Sequence, residues 1–259
     1  MSKAPRTKKS LGQHFLHDGN IIRKIVGSIP ANPDDKLVEI GPGSGAMTEV
    51  LVQRFDDVTV IEVDSRMVDH LKERFNGIEI IHSDILDYDW KKLENPGKPV
   101  HVVGNLPYYI TSQILFHLLR SRELFESATV MMQKEVAERI VAGPGSKEYG
   151  ILSVQVQLMS SPKVLFDVSP HVFKPPPNVK SAVMRLRFDR PGLACSDDHL
   201  KTVVRTAFNQ RRKKLSNALK PLGADLPEDE FNFDLRAEAW PPDEYEKLTA
   251  RLEQLGHFS

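Results

Sequence analysis

The chain has 259 residues, of which 40% are hydrophobic, so it is long enough to bury a core in one large domain and one small one. No run of about 18 apolar residues is present, so the sequence predicts no membrane-spanning helix. The single cysteine, Cys195, excludes an intramolecular disulfide. The nine histidines lack the spacing of a metal site, so we expect no structural metal.

Positive and negative charges cancel overall but are segregated along the chain. The first ten residues are basic and lack an apolar stretch, so we expect a basic tail rather than a secretory signal. Residues 199–224 carry seven basic side chains and no acid, whereas residues 225–246 carry nine acids against Arg236. This asymmetry predicts a basic surface for a polyanion, with an acidic segment elsewhere.

The first strand signal is Lys36–Ile40, which a glycine-rich stretch, Gly41–Gly45, follows directly. Helical composition then continues to Arg54, so the glycines lie in a turn between a strand and a helix. Glycines in such a turn let a ligand approach the backbone, and the helix N-terminus favours negative or polar groups. Gly41 and Gly43 are therefore candidate cofactor-binding residues.

Acidic side chains follow the next two predicted strands. Glu62 comes directly after Val58–Ile61 and about 20 residues past the first glycine. A carboxylate at this position of an open α/β sheet typically binds ribose hydroxyls. Asp84 follows Ile78–Ile81, where a carboxylate can accept a hydrogen bond from an adenine amino group. Because ligands bind at the strand ends of open α/β sheets, we expect both acids to lie at one cofactor site.

The fourth predicted strand, Val100–Val103, leads into Asn105-Leu106-Pro107-Tyr108. An asparagine oxygen and a neighbouring backbone carbonyl can accept hydrogen bonds from the amino group of a flat base. Pro107 fixes φ and aims the carbonyls, and Tyr108 offers a face on which the base can stack. The four residues taken alone also fit a simple strand end with a proline turn and a half-buried tyrosine.

The glycine loop alone leaves the cofactor open. Gly41, Gly43 and Ala46 also fit a relaxed dinucleotide fingerprint, so an NAD-dependent oxidoreductase remains possible at this point. That alternative gives no reason for the Asn-Leu-Pro-Tyr sequence after the fourth strand.

The remaining elements predict a sheet completed by three later strands and a helical C-terminal region. The further strands are expected at 128–132, 164–168 and 182–188, and helices at 45–54, 65–75, 112–119 and 134–142. Gly143–Ser146 reads as a loop and Asp189–Gly192 as a linker. Ser196 or Asp197 can cap the first C-terminal helix, and the Pro241-Pro242 pair can start the last.

Several motifs together resemble one family. Four of them are similar to motifs of the S-adenosylmethionine-dependent methyltransferases that modify adenine amino groups. These four are Glu39–Gly45, Glu62, Asp84 and Asn105–Tyr108. Three further motifs narrow the resemblance to the ribosomal RNA adenine dimethyltransferases, namely Leu11–Leu16, Val172–Ala182 and Phe208–Leu215. The last of the three resembles the small-subunit branch of that family, which is typified by the kasugamycin-resistance methylase. The similarity runs from about Leu11 to about Leu255.

The resemblance implies a doubly wound, Rossmann-like α/β domain with a seven-stranded sheet, which uses S-adenosyl-L-methionine, and a small all-helical domain after it. We expect a basic tail at residues 1–10, the methyltransferase domain at 11–190 and an RNA- or ribosome-binding helical domain at 191–259. The implied enzyme dimethylates the exocyclic amine of two adjacent adenosines in a hairpin near the 3′ end of small-subunit (16S) ribosomal RNA. Its partners would be that RNA and the small ribosomal subunit or its precursor, and we expect a cytoplasmic monomer that takes part in small-subunit biogenesis.

The resemblance also implies roles for individual residues. The cofactor-binding set is His14, Leu16, Gly41, Gly43, Glu62, Asp84 and Asn105. The catalytic set is Asn105, Leu106, Pro107, Tyr108 and Phe173, with Tyr108 and Phe173 expected to sandwich the adenine. One departure concerns His14, which stands where the family often has asparagine, so its contact with the cofactor's methionine end would run through the imidazole or the backbone.

Arg211, Arg212, Lys213 and Lys214 are expected to contact RNA phosphates, because they lie in the acid-free stretch outside the cofactor motifs. Two alternatives stay open. One is a methyltransferase that acts on large-subunit ribosomal RNA or on DNA adenine. The other is a ribosome assembly factor in which RNA binding is the main role and catalysis is secondary.

Overall fold

The structure is a computed structural model that describes Pro5, Lys8, residues 13–93 and residues 97–258. Most of the expected basic tail, and the first two residues of the Leu11–Leu16 motif, lie outside the described residues. The chain divides into two compact units. The first contains the described residues up to Ala137 together with Lys163–Phe188, and the second contains Glu138–Pro162 together with the chain from Asp189 onward.

The first unit is built on a seven-stranded sheet, as the sequence predicted. The strands are β2 (Lys36–Ile40), β3 (Asp57–Glu62), β4 (Glu79–His82), β5 (Val100–Asn105), β6 (Ser127–Gln133), β7 (Ser161–Val168) and β9 (Ser181–Arg187). Their order in the sheet is β4-β3-β2-β5-β6-β9-β7. The five strands from β2 to β6 pair in parallel, and β9 pairs antiparallel with β6. The reversal of order on either side of β2 is the topological switch at which open α/β sheets bind ligands.

A separate two-stranded ribbon joins the N-terminal motif to the segment before β9. It pairs β1 (Phe15–Leu16) with β8 (Phe173–Lys174) in antiparallel register. The His17 amide extends the pairing by donating to the Val172 carbonyl at 3.0 Å. The ribbon therefore fixes the N-terminal segment against a part of the chain that follows β7.

Helices connect the strands and form most of the regular structure of the second unit. They are α1 (Gly19–Gly27), α2 (Thr48–Leu51), α3 (Ser65–Arg74), α4 (Thr111–Arg120), α5 (Lys134–Val141), α6 (Ile151–Met159), α7 (Asp197–Asn209), α8 (Leu215–Ala218) and α9 (Pro242–Gln254). The second helix is shorter than the expected 45–54, because Gly45 has a φ of 79°, which is incompatible with a right-handed helix. Within the described residues, no helix is long and apolar enough to cross a bilayer.

The core of the sheet explains why these sequences form strands. All five residues of β2 are buried, and β6 is buried from Ser127 to Met132, as expected for central strands covered on both faces. Leu37, Val60 and Val103 belong to one hydrophobic cluster that also takes in α1 residues such as Ile25. This packing holds the carboxyl ends of the parallel strands side by side.

The second unit differs from the expected C-terminal domain because it also includes residues 138–162. Helix α6 packs against α7 and α9 within this unit. Tyr149, which is fully buried, donates a hydrogen bond to the Trp240 carbonyl at 2.8 Å. The helices at 197 and 242 begin where the sequence predicted, although the Ser196 side chain makes no capping hydrogen bond.

Gly104 on β5 tests how closely the central strands approach. A Cβ at this position would lie 2.8 Å from the Ile40 carbonyl oxygen, which is backbone of β2 and has little freedom to move. We expect Gly104→Ala to lower the free energy of unfolding by about 1–3 kcal/mol, as overpacking does. Urea denaturation measures the change, and Gly27→Ala is the control because a Cβ there meets no atom within 4 Å. Equal stability of both variants would contradict the prediction.

Candidate active site

One cleft in the first unit collects the chain segments that follow β2, β3, β4 and β5. It is lined by Gly41, Gly43, Glu62, Asp84, Asn105, Leu106, Pro107 and Tyr108, together with Gln13, His14 and Phe15 of the N-terminal segment. Thus most of the residues that the sequence singled out separately are brought to the same place. The parallel register is the cause, because it brings all four carboxyl ends to one edge of the sheet.

The glycine loop leaves room where a side chain would otherwise stand. Gly41 has a φ of 65°, and a Cβ added to it would meet no atom within 4 Å, although the residue lines the cleft. Gly43 has a φ of 55°, and its Cβ would lie 2.8 Å from the Phe15 ring. The first glycine therefore opens the backbone to a ligand, and the second is required for close packing of the N-terminal segment.

The Glu62 carboxylate fixes this loop to the end of β3. Its Oε2 accepts the Gly43 amide at 3.0 Å, and its Oε1 accepts the amides of Val63 and Asp64, each at 2.9 Å. The residue is 5% exposed, and burial raises the pKa of its carboxyl, while these backbone amides act in the opposite direction. A carboxylate offers about four acceptor positions, so one position on Oε2 remains for a ligand hydroxyl.

Two further carboxyl groups stand near the loop. Asp84 uses Oδ1 to accept the Leu86 amide at 2.9 Å, and no described residue donates to its Oδ2. Glu39 is fully buried on β2 and accepts a hydrogen bond from the Thr48 hydroxyl at 2.6 Å. Burial above all, and then the charge of Glu62, raises the pKa of Glu39 to about 8. Glu39 is therefore mostly protonated at neutral pH, whereas Asp84 faces the cleft with a free oxygen.

Asn105 ends β5 with its amide held in one orientation. Its Nδ2 donates to the His14 carbonyl at 3.0 Å, across 91 residues of sequence. Because an amide that donates through its nitrogen keeps its oxygen as an acceptor, Oδ1 is left for another donor. The Leu106 amide donates to the Met131 carbonyl at 2.9 Å, which continues the parallel pairing past the end of the strand.

The backbone carbonyls of the motif are not equivalent. The Pro107 carbonyl already accepts the Thr111 hydroxyl at 3.0 Å and the Ile110 amide at 3.3 Å, and two donors occupy both of its lone pairs. Among the described residues, none donates to the Leu106 carbonyl. The sequence predicts only that a backbone carbonyl next to Asn105 accepts, and the structure leaves that of Leu106 as the available acceptor.

Tyr108 is held at its hydroxyl and covered on its ring. Its hydroxyl lies 2.6 Å from the Ser181 Oγ on β9, and burial raises the pKa of the phenol. The His14 ring stacks on it, with centroids 5.7 Å apart and an interplanar angle of 25°. Ser181 was not predicted as a site residue, since a serine at the start of a strand carries no sequence signal for this contact.

Two predicted site residues do not reach the cleft. Phe173 is 1% exposed and lies in the hydrophobic core cluster, where it pairs with Leu16 across the β1–β8 ribbon. Leu16 is also buried in that cluster. Their apolar side chains complete the core beneath the ribbon, so the geometry gives no support to Phe173 as one side of an adenine sandwich or to Leu16 as a cofactor contact.

The four consecutive basic residues at 211–214, which lie in the second unit, divide into two kinds. Arg211 pairs with Glu238 at 3.4 Å and donates to the Ser146 carbonyl at 3.1 Å, and Lys214 pairs with Asp234 at 2.8 Å. Arg212 and Lys213 are exposed and have no ion pair with any described residue. The acidic segment thus neutralises half of the basic group, which the one-dimensional charge pattern does not reveal.

The described residues contain no group of three or more His, Cys, Asp or Glu side chains that could hold a metal ion. The site instead offers an open glycine loop, two carboxylate acceptors, an oriented amide oxygen and an aromatic face. Together with the doubly wound sheet, these features are typical of S-adenosylmethionine-dependent methyltransferases that act on an amino group. A family model described as ribosomal RNA adenine dimethylase matches residues 4–238, and the chain belongs to that family. It is therefore an S-adenosylmethionine-dependent ribosomal RNA adenine dimethyltransferase, and the oxidoreductase alternative is wrong.

Relatives of known name match nearly the whole chain. Ribosomal RNA small subunit methyltransferase A of Salinibacter ruber is 46% identical over 262 residues, which cover 98% of this chain and 87% of that protein. The protein of the same name from Chlorobium chlorochromatii is 47% identical over 232 residues, which cover 90% of this chain and 88% of that one.

Solved structures agree with the fold. A dimethyladenosine transferase from Plasmodium falciparum has a TM-score of 0.79 and 26% identity, and the match covers 94% of this chain and 98% of that chain. The 23S rRNA methyltransferase ErmE has a TM-score of 0.65 and 28% identity, with 93% and 100% coverage.

Glu39 gives a pH-dependent prediction. Because its folded-state pKa is raised from 4.5 to about 8, the native state binds a proton that the unfolded chain has already released over this range. The stability that Glu39 contributes is therefore complete below about pH 4.5 and is lost as pH rises through about 8. Glu39→Gln stays neutral and can still accept from Thr48. We expect its unfolding free energy to rise relative to wild type by up to about 1.4 kcal/mol per pH unit across this window. Denaturant titrations at pH 5, 6.5 and 8 measure the difference, and a difference independent of pH would overturn the assignment.

Proposed function

We propose that this enzyme dimethylates the exocyclic amines of two adjacent adenosines in a hairpin near the 3′ end of small-subunit (16S) ribosomal RNA, and thereby takes part in small-subunit biogenesis. The observation that carries the chemistry is the oriented Asn105 amide, whose Oδ1 is left to accept from an amine. The choice of the small subunit is supported by identities of 44–47% to proteins named as small-subunit methyltransferases.

We assign residues that line the cleft to the separate parts of the cofactor. We assign Glu62 to a ribose hydroxyl, through its one remaining acceptor position, and Asp84 Oδ2 to the adenine amino group. In this assignment Gly41 supplies the open backbone against which the methionine portion lies, Gly43 lets Phe15 pack closely on the loop, and Asn105 stands beside it. When bound, S-adenosyl-L-methionine supplies an electrophilic methyl group on a sulfonium centre, so the protein mainly contributes position and electrostatics.

The target amine is a weak nucleophile because its lone pair is delocalised into the adenine ring. We assign its two N–H groups to Asn105 Oδ1 and the Leu106 carbonyl, since the Pro107 carbonyl is already occupied. Two acceptors placed outside the ring plane favour a pyramidal nitrogen and localise its lone pair for attack. Pro107 acts by shaping the turn, and Tyr108 stacks on the extruded base, which offsets part of the cost of unstacking it.

Within the four consecutive basic residues at 211–214, RNA binding is assigned chiefly to Arg212 and Lys213, because both are exposed and neither has an ion partner among the described residues. Arg211 and Lys214 contribute less in this proposal, since their charges are already paired. The partner is the small ribosomal subunit or its precursor. A cytoplasmic location and a monomeric state complete the proposal, with the residues of 191–259 as the ribosome-binding region.

A second candidate function is methylation of large-subunit ribosomal RNA, which the similarity to ErmE favours. The lower identity of 28% to that protein, against 44–47% to the small-subunit enzymes, supports the first candidate.

Radiolabelled methyl transfer distinguishes the two. Unmethylated small and large ribosomal subunits are each incubated with the enzyme and labelled cofactor, and the labelled nucleosides are mapped and identified by mass spectrometry. We expect dimethyladenosine at two neighbouring positions of the small-subunit RNA. Label confined to large-subunit RNA, or only monomethyladenosine as final product, would reject the proposal.

Glu62→Gln tests the cofactor site. The amide can accept through one oxygen only, so it cannot satisfy the Gly43 amide and the two following amides as the carboxylate does. We expect the binding free energy of the cofactor to weaken by about 1–3 kcal/mol. Calorimetry with the demethylated product S-adenosylhomocysteine measures this change. Asp69→Asn, on α3 and outside the cleft lining, serves as the control. Unchanged affinity of Glu62→Gln would remove Glu62 from the cofactor site.

Asn105→Ala tests the chemical step. It removes the acceptor of the amine hydrogen bond, and we expect the single-turnover rate to fall by about 100-fold or more. Asn105→Asp keeps an oxygen acceptor but loses the donor to His14, so it separates the acceptor role from the orienting hydrogen bond. Near-normal turnover by the alanine variant would exclude Asn105 from the mechanism.

Residues 211–214 offer two matched double variants that test which basic side chains bind RNA. Neutralising Arg212 and Lys213 to glutamine should flatten the dependence of log affinity on log salt by about 0.7–0.9 for each phosphate that the protein no longer binds. The same change at Arg211 and Lys214 should flatten it less, since both are already paired with acids. Binding to small ribosomal subunits across a salt series measures both. Equal slopes for both double variants would show that ion pairing does not select the residues that bind RNA.

A further inference from the structure

Tyr109 is the most exposed large hydrophobic side chain in the described part of the chain, with 59% of its surface accessible. Single exposed apolar residues are ordinary on protein surfaces, and Leu235 and Leu255 are examples outside the cleft. Tyr109 differs from them because it lines the cleft beside the residues assigned to the target amine and its base. Its exposed ring therefore borders the space that the RNA enters in the proposed function.

The two tyrosines of the motif have different surroundings although they share one turn. Tyr108 and Tyr109 are the central residues of this turn, which the Ile110 amide closes by donating to the Pro107 carbonyl at 3.3 Å. The Tyr108 hydroxyl is held by Ser181. The Tyr109 side chain has no hydrogen bond and no ring contact with any residue that the structure describes. Its ring and its hydroxyl are therefore left for a ligand.

The backbone that carries the Tyr109 ring is anchored on both sides. Before the turn, the Leu106 amide donates to the Met131 carbonyl at 2.9 Å and so fixes the end of β5. After the turn, the Thr111 hydroxyl donates to the Pro107 carbonyl at 3.0 Å, and Thr111 is the buried first residue of α4. An exposed ring on an anchored turn is preorganised, so binding a ligand orders little more than the side chain itself.

Extrusion of the target base creates a place for such a ring in the complex. Bases in RNA stack on their neighbours, so an adenosine that turns into the cleft leaves the next base without one stacking partner. Proteins commonly hold unstacked RNA bases on aromatic side chains. The Cα atoms of Tyr108 and Tyr109 are about 3.8 Å apart, as in any trans peptide, so their rings can meet two nucleotides that are joined to each other.

We infer that the Tyr109 ring stacks on the nucleotide next to the target adenosine and positions the RNA strand at the mouth of the cleft. The inference rests on the proposed function and adds a substrate-positioning residue to it. Because the two proposed targets are adjacent, one adenosine stacks on Tyr109 while the other occupies the cleft. This contact does not change during methyl transfer, so it strengthens RNA binding without accelerating the chemical step.

Three substitutions separate stacking from other contacts of the same side chain. Tyr109→Phe keeps the ring and loses the hydroxyl, Tyr109→Leu keeps an apolar side chain without a flat ring, and Tyr109→Ala loses both. Leu255→Ala is the control, since Leu255 is 52% exposed and lies outside the cleft lining. Single-turnover methyl transfer to unmethylated small subunits, with enzyme in excess, gives the maximal rate and the half-saturating enzyme concentration. Calorimetry gives the affinity for S-adenosylhomocysteine.

We expect the alanine and leucine variants of Tyr109 to raise the half-saturating concentration by roughly 5- to 100-fold, the effect of losing one stacked base. Their maximal rates should stay within about three-fold of wild type, because only uniform binding is lost. Tyr109→Phe and Leu255→Ala should resemble wild type in both quantities. The affinity for S-adenosylhomocysteine should be unchanged in all four variants, since the contact is with RNA.

The base that Tyr109 holds is identified with small subunits reconstituted from RNA that lacks the base beside one target adenosine. If the ring stacks on that base, removing the ring and removing the base abolish the same contact. Tyr109→Ala and wild type should therefore have equal half-saturating concentrations on these particles. Additive losses would show that the ring contacts another part of the RNA and would overturn the inference.

Full activity of the leucine variant, or a loss in Tyr109→Phe equal to that in Tyr109→Ala, would also overturn it, in favour of a simple apolar contact or a hydroxyl hydrogen bond. So would a weaker affinity for S-adenosylhomocysteine, or no effect of any substitution. Thermal unfolding of each variant identifies loss of fold, and the phenylalanine and leucine variants then decide. Failure of the proposed function appears separately, as absence of methyl transfer to small subunits by the wild-type enzyme. The variants are then compared on the particle that the wild type does label.

Discussion

The parallel pairing of β2 with its neighbours is the constraint on which the site depends. Residues 36–40 pair with β3 on one side and β5 on the other in continuous register. Each strand therefore ends at the same edge, and the residues that follow these strands share one cleft although they are far apart in sequence. A register shift of one residue would turn buried side chains outward, so burial of the core also secures the geometry of the site.

Hydrogen bonds within the protein decide which polar atoms of the cleft remain available to the cofactor and the substrate. At Glu62 three backbone amides occupy three acceptor positions and leave one. At Pro107 both lone pairs are occupied, whereas at Leu106 the carbonyl has no donor from the described residues. The Asn105 nitrogen is occupied by the His14 carbonyl, which leaves the oxygen. The acceptors available to ligands are therefore set by the hydrogen bonds that the fold already makes to the neighbouring polar atoms.

Electrostatics follow from burial in the first unit and from ion pairing in the second. Glu39 and Glu62 lie beneath the glycine loop with raised pKa values, and only Glu62 is held by backbone amides that favour its charged form. In the second unit, Glu238 and Asp234 offset Arg211 and Lys214. The net charge of residues 211–214 is therefore smaller than the sequence suggests, and within these four the cations without an acidic partner among the described residues are Arg212 and Lys213.

The sequence by itself determined the sheet and the order of its motifs, because strand periodicity, glycine turns and strand-end polar residues are local patterns. The class of enzyme came from the resemblance of these motifs to one family. The sequence placed Gly41, Glu62, Asp84 and Asn105 correctly at one cleft, since parallel strands share an edge. Only the tertiary structure decided the contacts between distant segments. It put Phe173 in the core, since its ribbon packs on apolar residues, and it tied Tyr108 to Ser181 and Asn105 to His14. These contacts depend on how whole elements pack, and no local pattern encodes that.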